Sequence, residues 1–293
     1  MAAVIPERSV AESLSSRLRR RNRGGRFHRV LSDRTRSPDG NVDTLSLWDA
    51  HSTVQRQTAD AIARLWSLRS PGDAVLDFGA GDGALLARIA QQHAGLREVA
   101  VVDRDPQARE AARARLSAVA PFASYAELPT TRRFDLVLAA HVLYFVGDVP
   151  AWWRSVAAIL RTHGLVTVAI TSPECDMYAL RHIVRRHEGR RARFGHDLLV
   201  RGAAAVGLGP RTDRVDSSFS YPCQDPRLAR IPAHSADAGL ARLVCWLTAL
   251  DPERRLPEPL QADINAFLVA HTRDGRLSFR IVDSVVHFSP VKG

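Results

Sequence analysis

A cluster of glycines follows an acidic residue in the segment 75–90, VLDFGAGDGALLARIA. An apolar run ends at Asp77, and glycines then stand at alternate positions, Gly79, Gly81 and Gly83. Glycine lets the backbone turn tightly and lets a ligand approach main-chain amides, because no Cβ stands in the way. In doubly wound folds nucleotides bind at the carboxyl ends of the strands. The loop therefore predicts a nucleotide-containing cofactor, and its G-x-G-x-x-A spacing also satisfies the dinucleotide fingerprint.

A second carboxylate, Asp103, directly follows the next apolar run, 99–102. A carboxylate at the end of such a strand can accept hydrogen bonds from both hydroxyls of a ribose. This feature suits a nicotinamide dinucleotide and S-adenosylmethionine alike, because both contain a ribose. An ordinary strand-end carboxylate is the alternative interpretation of Asp103.

Apolar runs alternate with helical patterns from residue 74 onward. Runs without internal alternation are typical of parallel strands covered by helices on both faces, so we expect an α/β fold with a doubly wound sheet. The pattern predicts strands over 74–78, 99–102, 134–140, 165–170, 214–221 and 277–285, and helices over 47–70, 84–93, 106–119, 151–160, 177–187, 196–206, 240–250 and 260–271. We expect Gly164 to stop the helix 151–160, and Pro71-Gly72 to end the first one.

The net charge of +10 comes mostly from the N-terminal region. Residues 1–40 contain ten arginines against four acids, and Lys292 is the single lysine of the chain. We interpret 1–43 as a solvated, partly disordered arginine-rich arm, with docking of an acidic partner or nucleic acid as the alternative. The three cysteines are too few for a disulfide framework, no apolar run could span a membrane, and no secretory signal is recognised. A cytoplasmic protein is therefore expected.

The segment 134–170, FDLVLAAHVLYFVGDVPAWWRSVAAILRTHGLVTVAI, separates the two cofactors. The chain resembles the class I S-adenosylmethionine-dependent methyltransferases. The resemblance rests on the acidic residue before the glycine loop, on the aromatic-rich connection 141–146, and on a strand that follows a helix ending in glycine. The resemblance implies a Rossmann-like sheet with an N-terminal helical cap and C-terminal substrate-binding insertions. It implies S-adenosyl-L-methionine as the cofactor, held by Asp77, Gly79, Gly81, Gly83, Asp103, Glu127 and Ala140. The expected regions are 1–43 (arm), 44–73 (cap helix), 74–172 (cofactor core) and 173–293 (remaining sheet and substrate region).

A closer resemblance, over about residues 44–290, is to the histamine N-methyltransferase family. It rests on His51-Ser52-Thr53 followed by Gln55, and on Leu143-Tyr144-Phe145-Val146 followed by Asp148, Val149 and Pro150. It also rests on a tail of two helices, a turn at Asp274-Gly275 and a last strand. The resemblance implies a substrate-binding group made of His51, Val54, Tyr144, Phe145 and Ile281.

The chain departs from that family at three positions. Val54 stands where the family has an amine-binding acid, His141 where it has a glutamine, and Ile281 approximately where it has an asparagine. A cationic amine that enters a closed pocket loses hydration and needs an opposite charge or strong acceptors. We therefore expect a methyltransferase for an O or N atom of a small molecule, such as a specialised metabolite, with histamine not the physiological acceptor.

His141 follows the fourth strand, where a proton acceptor for the reaction would lie. Its two interpretations, a general base and a residue that orients substrate or cofactor, stay open.

We expect no metal, because His182 and His187 lack partnering carboxylates. No membrane or nucleic-acid partner and a monomer or weak dimer are expected. The alternatives are a peptide or RNA methyltransferase that docks its substrate through the arm, and a catalytically silent cofactor-binding subunit.

Overall fold

The computed structural model describes residues 44–67, 73–93, 95–189, 195–228 and 238–291, so the arginine-rich arm lies outside the described residues. Its helices are α1 (Thr44–His51), α2 (Val54–Trp66), α3 (Ala84–Gln92), α4 (Pro106–Leu116), α5 (Val149–Ile159), α6 (Asp176–His187), α7 (His196–Ala204), α8 (Ala238–Thr248) and α9 (Glu258–Ala270). Its strands are β1 (Ala74–Phe78), β2 (Glu98–Val102), β3 (Phe122–Tyr125), β4 (Phe134–Ala140), β5 (Leu160–Thr171), β6 (Leu208–Pro222), β7 (Thr272–Arg273) and β8 (Arg276–Pro290). Two 3₁₀ helices span Leu143–Phe145 and Pro226–Leu228.

The strands form one eight-stranded sheet in the order β3-β2-β1-β4-β5-β8-β6, and the short β7 pairs with β8. The pairs among β1 to β5 are parallel, whereas β8 is antiparallel to both β5 and β6. The strand order reverses between β1 and β4, and doubly wound sheets bind ligands outside the carboxyl ends of the strands at such a point. The prediction of a doubly wound, Rossmann-like α/β sheet is confirmed.

Short polar signals start the helices that follow the strands. Asp105 caps α4 by accepting a hydrogen bond from the Gln107 N–H, and Pro106 stands in the first turn. Asp148 caps α5 in the same way through the Ala151 N–H. These local signals put helix starts close to the carboxyl ends of β2 and β4.

Both faces of the sheet are buried, as the unbroken apolar runs predict. One core holds Val75 and Leu136 against α2, α3 and α4, and the opposite core holds Leu76 and Val137 against α5 and α7. A third core joins α1, α6, α8 and α9 to the outer parts of β6 and β8. The chain after residue 172 thus builds a separate apolar layer around the strand ends.

The entry helix differs from its prediction, because it is two helices rather than one. The break falls at Ser52-Thr53, where Ser52 forms a β-bridge with Phe219. The Thr53 N–H donates to the Ser218 carbonyl (2.8 Å) and the Ser218 N–H donates to Thr53 Oγ1 (2.9 Å). Pairing with β6 therefore removes these two residues from the helical path. The predicted helix end at Pro71-Gly72 lies outside the described residues, and α2 ends at Trp66.

Three strands extend well beyond their predicted bounds: β5, β6 and β8, which ends at Pro290. β5 begins at Leu160, directly after α5, and continues through Gly164, so Gly164 does not stop the helix. A Cβ on Gly164 would stand 2.5 Å from Leu160 Cγ, which explains the glycine inside this strand. β6 begins at Leu208 instead of residue 214, because it pairs with β8 along its whole length, from Leu208 opposite Pro290 to Pro222 opposite Arg276.

No helix in the described part of the chain has the length and apolar character needed to cross a bilayer.

We predict that Gly202→Ala destabilises the protein through the contact between α7 and α5. A Cβ on Gly202 would lie 2.3 Å from Trp153 Cδ1, and the fully buried Trp153 ring is held between Trp152 and Phe288. Overpacking should exceed the gain in helix propensity and lower the free energy of unfolding by about 1–2 kcal/mol, measured by urea denaturation. The control Gly147→Ala, with open space at its Cβ, should change it by less than about 0.5 kcal/mol. A Gly202→Ala protein as stable as the wild type would contradict the prediction.

Candidate functional site

The loop after β1 lies directly against the loop after β4. Gly79 has a φ of +75°, and a Cβ there would stand 2.2 Å from Val142 Cγ2. The Gly79 N–H also donates to the Val102 carbonyl at 2.7 Å, so the loop is tied to β2 as well. Any larger residue at 79 would separate the two loops. Gly81 and Gly83 also have positive φ values, and the three glycines together turn the chain from β1 into α3.

Asp103 connects the loop after β1 to the loop after β2. Its Oδ2 accepts a hydrogen bond from the Gly81 N–H at 3.1 Å, and its Oδ1 accepts one from the Asp105 N–H at 2.9 Å. Arg109 donates to the Asp103 carbonyl at 2.7 Å. The carboxylate is only partly buried, so it retains acceptor capacity at the surface of this crevice.

Asp77 is the penultimate residue of β1, just before this loop, and is 3% exposed. Burial, with a smaller contribution from the negative charge of Asp103, raises the pKa of Asp77 to about 7. Two carboxyl groups thus meet at the ends of adjacent strands. Such a pair favours a ligand that brings hydrogen-bond donors or positive charge.

The two remaining residues of the predicted cofactor group lie at the same edge of the sheet. Ala140 is the last residue of β4 and stands opposite Ala169 of β5. Glu127 is exposed, two positions beyond β3. The described contacts bring Asp77, Asp103 and the glycine loop together, whereas those given for Glu127 do not connect it to them.

His141 follows β4 in a left-handed conformation, with a φ of +53°. Its N–H donates to the Ala169 carbonyl at 2.9 Å, which holds the backbone at this turn. Its Nε2 lies 3.4 Å from Oδ2 of Asp283, a β8 residue with 0% side-chain exposure, whereas the His141 side chain is 35% exposed. Burial alone would lower the pKa of His141, but the charge and nearness of Asp283 outweigh burial and the cation Arg181, so the net pKa is raised.

Tyr144 and Arg181 complete a polar group around this pair. The Tyr144 hydroxyl accepts a hydrogen bond from the Thr171 N–H, and burial raises the pKa of Tyr144 to about 12, so the phenol stays protonated at neutral pH. Arg181 of α6 donates from Nε to the Leu247 carbonyl at 2.6 Å and interacts electrostatically with Tyr144 and Asp283. The site therefore offers an imidazole, a phenol and a guanidinium around one buried carboxylate.

The predicted substrate residues fall into two groups. Tyr144 and Phe145 lie in the 3₁₀ helix after His141, with ring centroids 6.3 Å apart. Val54 (7% exposed) and Ile281 (1% exposed) belong to the third apolar core. His51 packs against Tyr221 of β6, with ring centroids 5.1 Å apart. Tyr144 and His141 thus share Asp283 as a neighbour, whereas Val54, Ile281 and His51 lie around the third core and β6.

Sequence reasoning missed Asp283 and Arg181. Asp283 interrupts the apolar strand sequence IVDSVV, and a carboxylate inside a strand predicted to be buried is a signal that could have been used. Arg181 lies in a helix with several basic residues, MYALRHIVRRH, so its sequence carries no signal that separates it from Arg185 or Arg186. Among the residues that the structure describes, there is no group of three or more His, Cys, Asp or Glu side chains that could hold a metal ion.

A family model matches the part of the chain that contains the glycine loop and the parallel strands, and it confirms the predicted class I methyltransferase fold. Residues 50–208 match the family model described as a methyltransferase domain. No curated protein sequence matches the chain significantly.

Solved structures share the fold at low sequence identity. The YcgJ protein of Bacillus subtilis has a TM-score of 0.54 and 15% identity, over 81% of this chain and 100% of that one. A putative methyltransferase of Bacillus halodurans C-125 has a TM-score of 0.52 and 14% identity, over 79% and 98% of the two chains.

We predict that Asp77→Asn stabilises the protein at neutral and alkaline pH. Between the ordinary pKa of 3.8 and the raised value of about 7, the folded protein keeps a proton that the unfolded chain has lost. The free energy of unfolding therefore falls as pH rises through this window, because the buried Asp77 carboxyl must lose its proton. The amide of the Asp77→Asn variant does not ionise, so that variant does not lose this stability. Urea unfolding at about pH 8 should show Asp77→Asn more stable than wild type by on the order of 2 kcal/mol, with the difference disappearing near pH 4.

The control for this prediction is Glu110→Gln, which removes an exposed carboxylate from α4. It should change stability little at either pH. Equal stability of Asp77→Asn and wild type at both pH values would show that Asp77 ionises without penalty in the folded protein.

Proposed function

The chain belongs to the methyltransferase domain family and takes its methyl group from S-adenosyl-L-methionine; from this premise we propose that the acceptor is an oxygen or nitrogen atom of a small molecule. The observation that carries the proposal is His141, held beside the buried Asp283 at the end of β4. It lies one residue before Val142, which packs on the glycine loop. A side chain able to accept a proton thus stands next to the expected position of the methyl donor.

The residues around the loop fit the methyl donor. The cofactor supplies a methyl group already activated on a sulfonium, so the protein need not form a nucleophile of its own. We propose that Asp103 accepts hydrogen bonds from the ribose hydroxyls and that the loop of Gly79, Gly81 and Gly83 approaches the cofactor closely. The carboxyl group of Asp77 favours the positively charged part of the molecule. Glu127 and Ala140, at the ends of β3 and β4, are proposed as further cofactor contacts.

The protein must then hold the acceptor in line with the methyl group and exclude water. Tyr144 and Phe145 follow His141 directly, and we propose that they form the wall between cofactor and acceptor. His141 either takes the proton that the acceptor loses or orients the acceptor by a hydrogen bond. The enclosure of these polar groups by β8 and α6 favours a small acceptor over a polymer, which would need an open groove.

The charges at the site favour a neutral or anionic acceptor. Asp283 is a carboxylate two positions after Ile281, so the last strand does supply an acid that the sequence comparison with the histamine N-methyltransferase family did not consider. Asp283 already faces His141, and the cation Arg181 is close enough to affect the pKa of His141. A cationic acceptor would compete with His141 and Arg181 for the Asp283 carboxylate. Histamine therefore remains disfavoured, and the closer likeness to its methyltransferase family stays a prediction.

The alternative functions have less support. The cofactor loop and Asp103 show none of the erosion expected of a silent cofactor-binding subunit. Docking of RNA or a peptide would depend on residues 1–43, which lie outside the described residues. We propose a cytoplasmic biosynthetic enzyme for a specialised metabolite, acting as a monomer or weak dimer; this setting is inferred from composition alone.

Calorimetry and a methyl-transfer assay test the proposal. S-adenosyl-L-methionine and S-adenosyl-L-homocysteine should bind the full-length protein, whereas NAD should not. Radiolabelled methyl transfer should then be measured with catechol, 4-hydroxybenzoate, benzoate, tyramine and histamine. Deletion of residues 1–43 should leave transfer to a small molecule nearly unchanged. Transfer that depends on this arm, or turnover of histamine with a Michaelis constant in the low micromolar range, would contradict the proposal.

We predict that Asp103→Ala weakens S-adenosyl-L-homocysteine binding by about tenfold to a hundredfold, because hydrogen bonds to a charged acceptor contribute about 1.5–3 kcal/mol. Calorimetry gives the dissociation constant directly. Asp105→Ala is the matched control, since it removes the α4 cap and leaves the Asp103 carboxylate in place. An unchanged constant in folded Asp103→Ala protein would exclude the ribose contact.

A further inference from the structure

Asp283 is a buried acid without a conventional partner. Its side chain has 0% exposure, and neither carboxylate oxygen accepts a hydrogen bond from the described residues. It stands in β8 between Thr171 of β5 and Val215 of β6, so strand pairing holds it on both sides. A buried carboxylate is costly unless a cation or hydrogen-bond donors compensate it. Asp283 lies beside His141, one of the residues proposed to act on the methyl acceptor, which indicates that the groups that stabilise its buried charge have a function.

Four polar side chains from neighbouring elements influence or contact this acid. His141 comes from the turn after β4, Tyr144 from the 3₁₀ helix, and Arg181 from α6, while Cys175 lies just before α6. Among the described ion pairs within 4.0 Å, the partner of Asp283 is Nε2 of His141, at 3.4 Å. Arg181 acts from a longer distance, with its Nε held by the Leu247 carbonyl. Asp283 is therefore paired chiefly with the imidazole.

The contact with Asp283 favours one tautomer of His141. Nε2 is buried against Asp283, whereas about a third of the side chain is exposed. The carboxylate can only accept, so a neutral ring keeps its proton on Nε2 and leaves the Nδ1 lone pair free. The backbone N–H of His141 donates to the Ala169 carbonyl, which fixes the main chain from which the ring extends. Contacts of this kind are often longer than hydrogen bonds until ligands bind.

We propose that Asp283 is a positioning residue, which holds His141 so that its Nδ1 accepts the proton of a hydroxyl acceptor during methyl transfer. The proposal rests on the proposed function. The acceptor oxygen attacks the methyl carbon with a lone pair, and the carbon–sulfur bond breaks with its electrons going to sulfur, which forms S-adenosyl-L-homocysteine. The O–H proton passes to Nδ1. The imidazolium is stabilised by the Asp283 carboxylate until the proton leaves to solvent.

A hydroxyl group fits this arrangement better than a protonated amine. A hydroxyl enters neutral, so it adds no positive charge beside Arg181 and His141. Its proton must leave when the oxygen is methylated, and Nδ1 supplies the acceptor. The Tyr144 hydroxyl accepts from the Thr171 N–H and stays protonated, so it adds no negative charge to the site.

The pH dependence follows from the charges that face His141. Transfer needs the neutral ring, and the pKa of His141 lies above its ordinary value, so the rate should rise as pH passes through that raised pKa. Replacing Asp283 by Asn removes the charge that raises it, while Arg181 continues to lower it. The acidic limb of the rate profile should therefore move to lower pH, by about 1 unit or more.

The first experiment needs no acceptor. Full-length protein with ¹⁵N-labelled histidine is titrated in two-bond ¹H–¹⁵N NMR spectra with S-adenosyl-L-homocysteine present. His141 should carry its neutral proton on Nε2 and titrate above its ordinary pKa. Asp283→Asn should lower that pKa by about 1 unit or more, while Asp216→Asn, an exposed acid of β6, should leave it unchanged. A neutral His141 protonated on Nδ1 in the wild type would overturn the proposal even if Asp283→Asn does not fold.

The second experiment measures transfer to the hydroxyl probes catechol and 4-hydroxybenzoate and to the amine histamine. Asp283→Asn should reduce kcat with a hydroxyl probe by about a hundredfold, with its acidic limb at lower pH and cofactor affinity preserved. Transfer to histamine alone, with Asp283→Asn raising only its KM, would show that Asp283 binds the amine directly. Failure of the proposed function is distinguishable, because it would appear as wild-type transfer to none of these small molecules or as transfer that depends on residues 1–43, whereas the NMR titration tests the pairing of His141 with Asp283 without any acceptor.

Discussion

The close contact between Gly79 and Val142 is the constraint on which the site depends. These residues belong to the loops after β1 and β4, the two strands where the sheet order reverses. Because no Cβ separates the loops, the glycine loop and the turn that carries His141 lie directly against each other. The strand order creates the crevice, and this contact joins its two sides.

Acidic groups at the carboxyl edge of the sheet act against the stability of the fold that carries them. Asp77 and Asp283 are nearly or fully buried, and Asp103 places a further negative charge beside Asp77. Asp77 is held by the pairing of β1 with β2, Asp103 by a backbone donor in the loop after β1, and Asp283 by the pairing of β8 with the end of β5. The three apolar cores supply the stability that offsets these charges. In the proposed reaction, a cofactor with a cationic sulfonium and an acceptor that releases a proton would both use negative charge placed in this way.

Local signals explain which parts could be predicted from the sequence. β1 and β4 have the predicted bounds, because continuous apolar runs end in an acid or a turn within a few residues. The places of the glycine loop and Asp103 at strand ends were predicted for the same reason, and their contacts with the cofactor stay a prediction. The break at Ser52-Thr53 could not be found, since it depends on pairing with Ser218 and Phe219 far along the chain. The length of β6 is likewise set by its partner β8, and the pairing of His141 with Asp283 joins segments that no local pattern relates.

The position of β8 within the sheet has a consequence for how the protein is made. β8 is inserted between β5 and β6, although it follows both in the chain. While the ribosome still holds this segment, β5 has a free edge and β6 has no partner, so the nascent sheet presents surfaces that can pair with other chains. The glycine loop, Asp103 and His141 have by then already emerged. Asp283 arrives with β8, so closing the sheet and completing the polar pair at His141 are one event in biosynthesis.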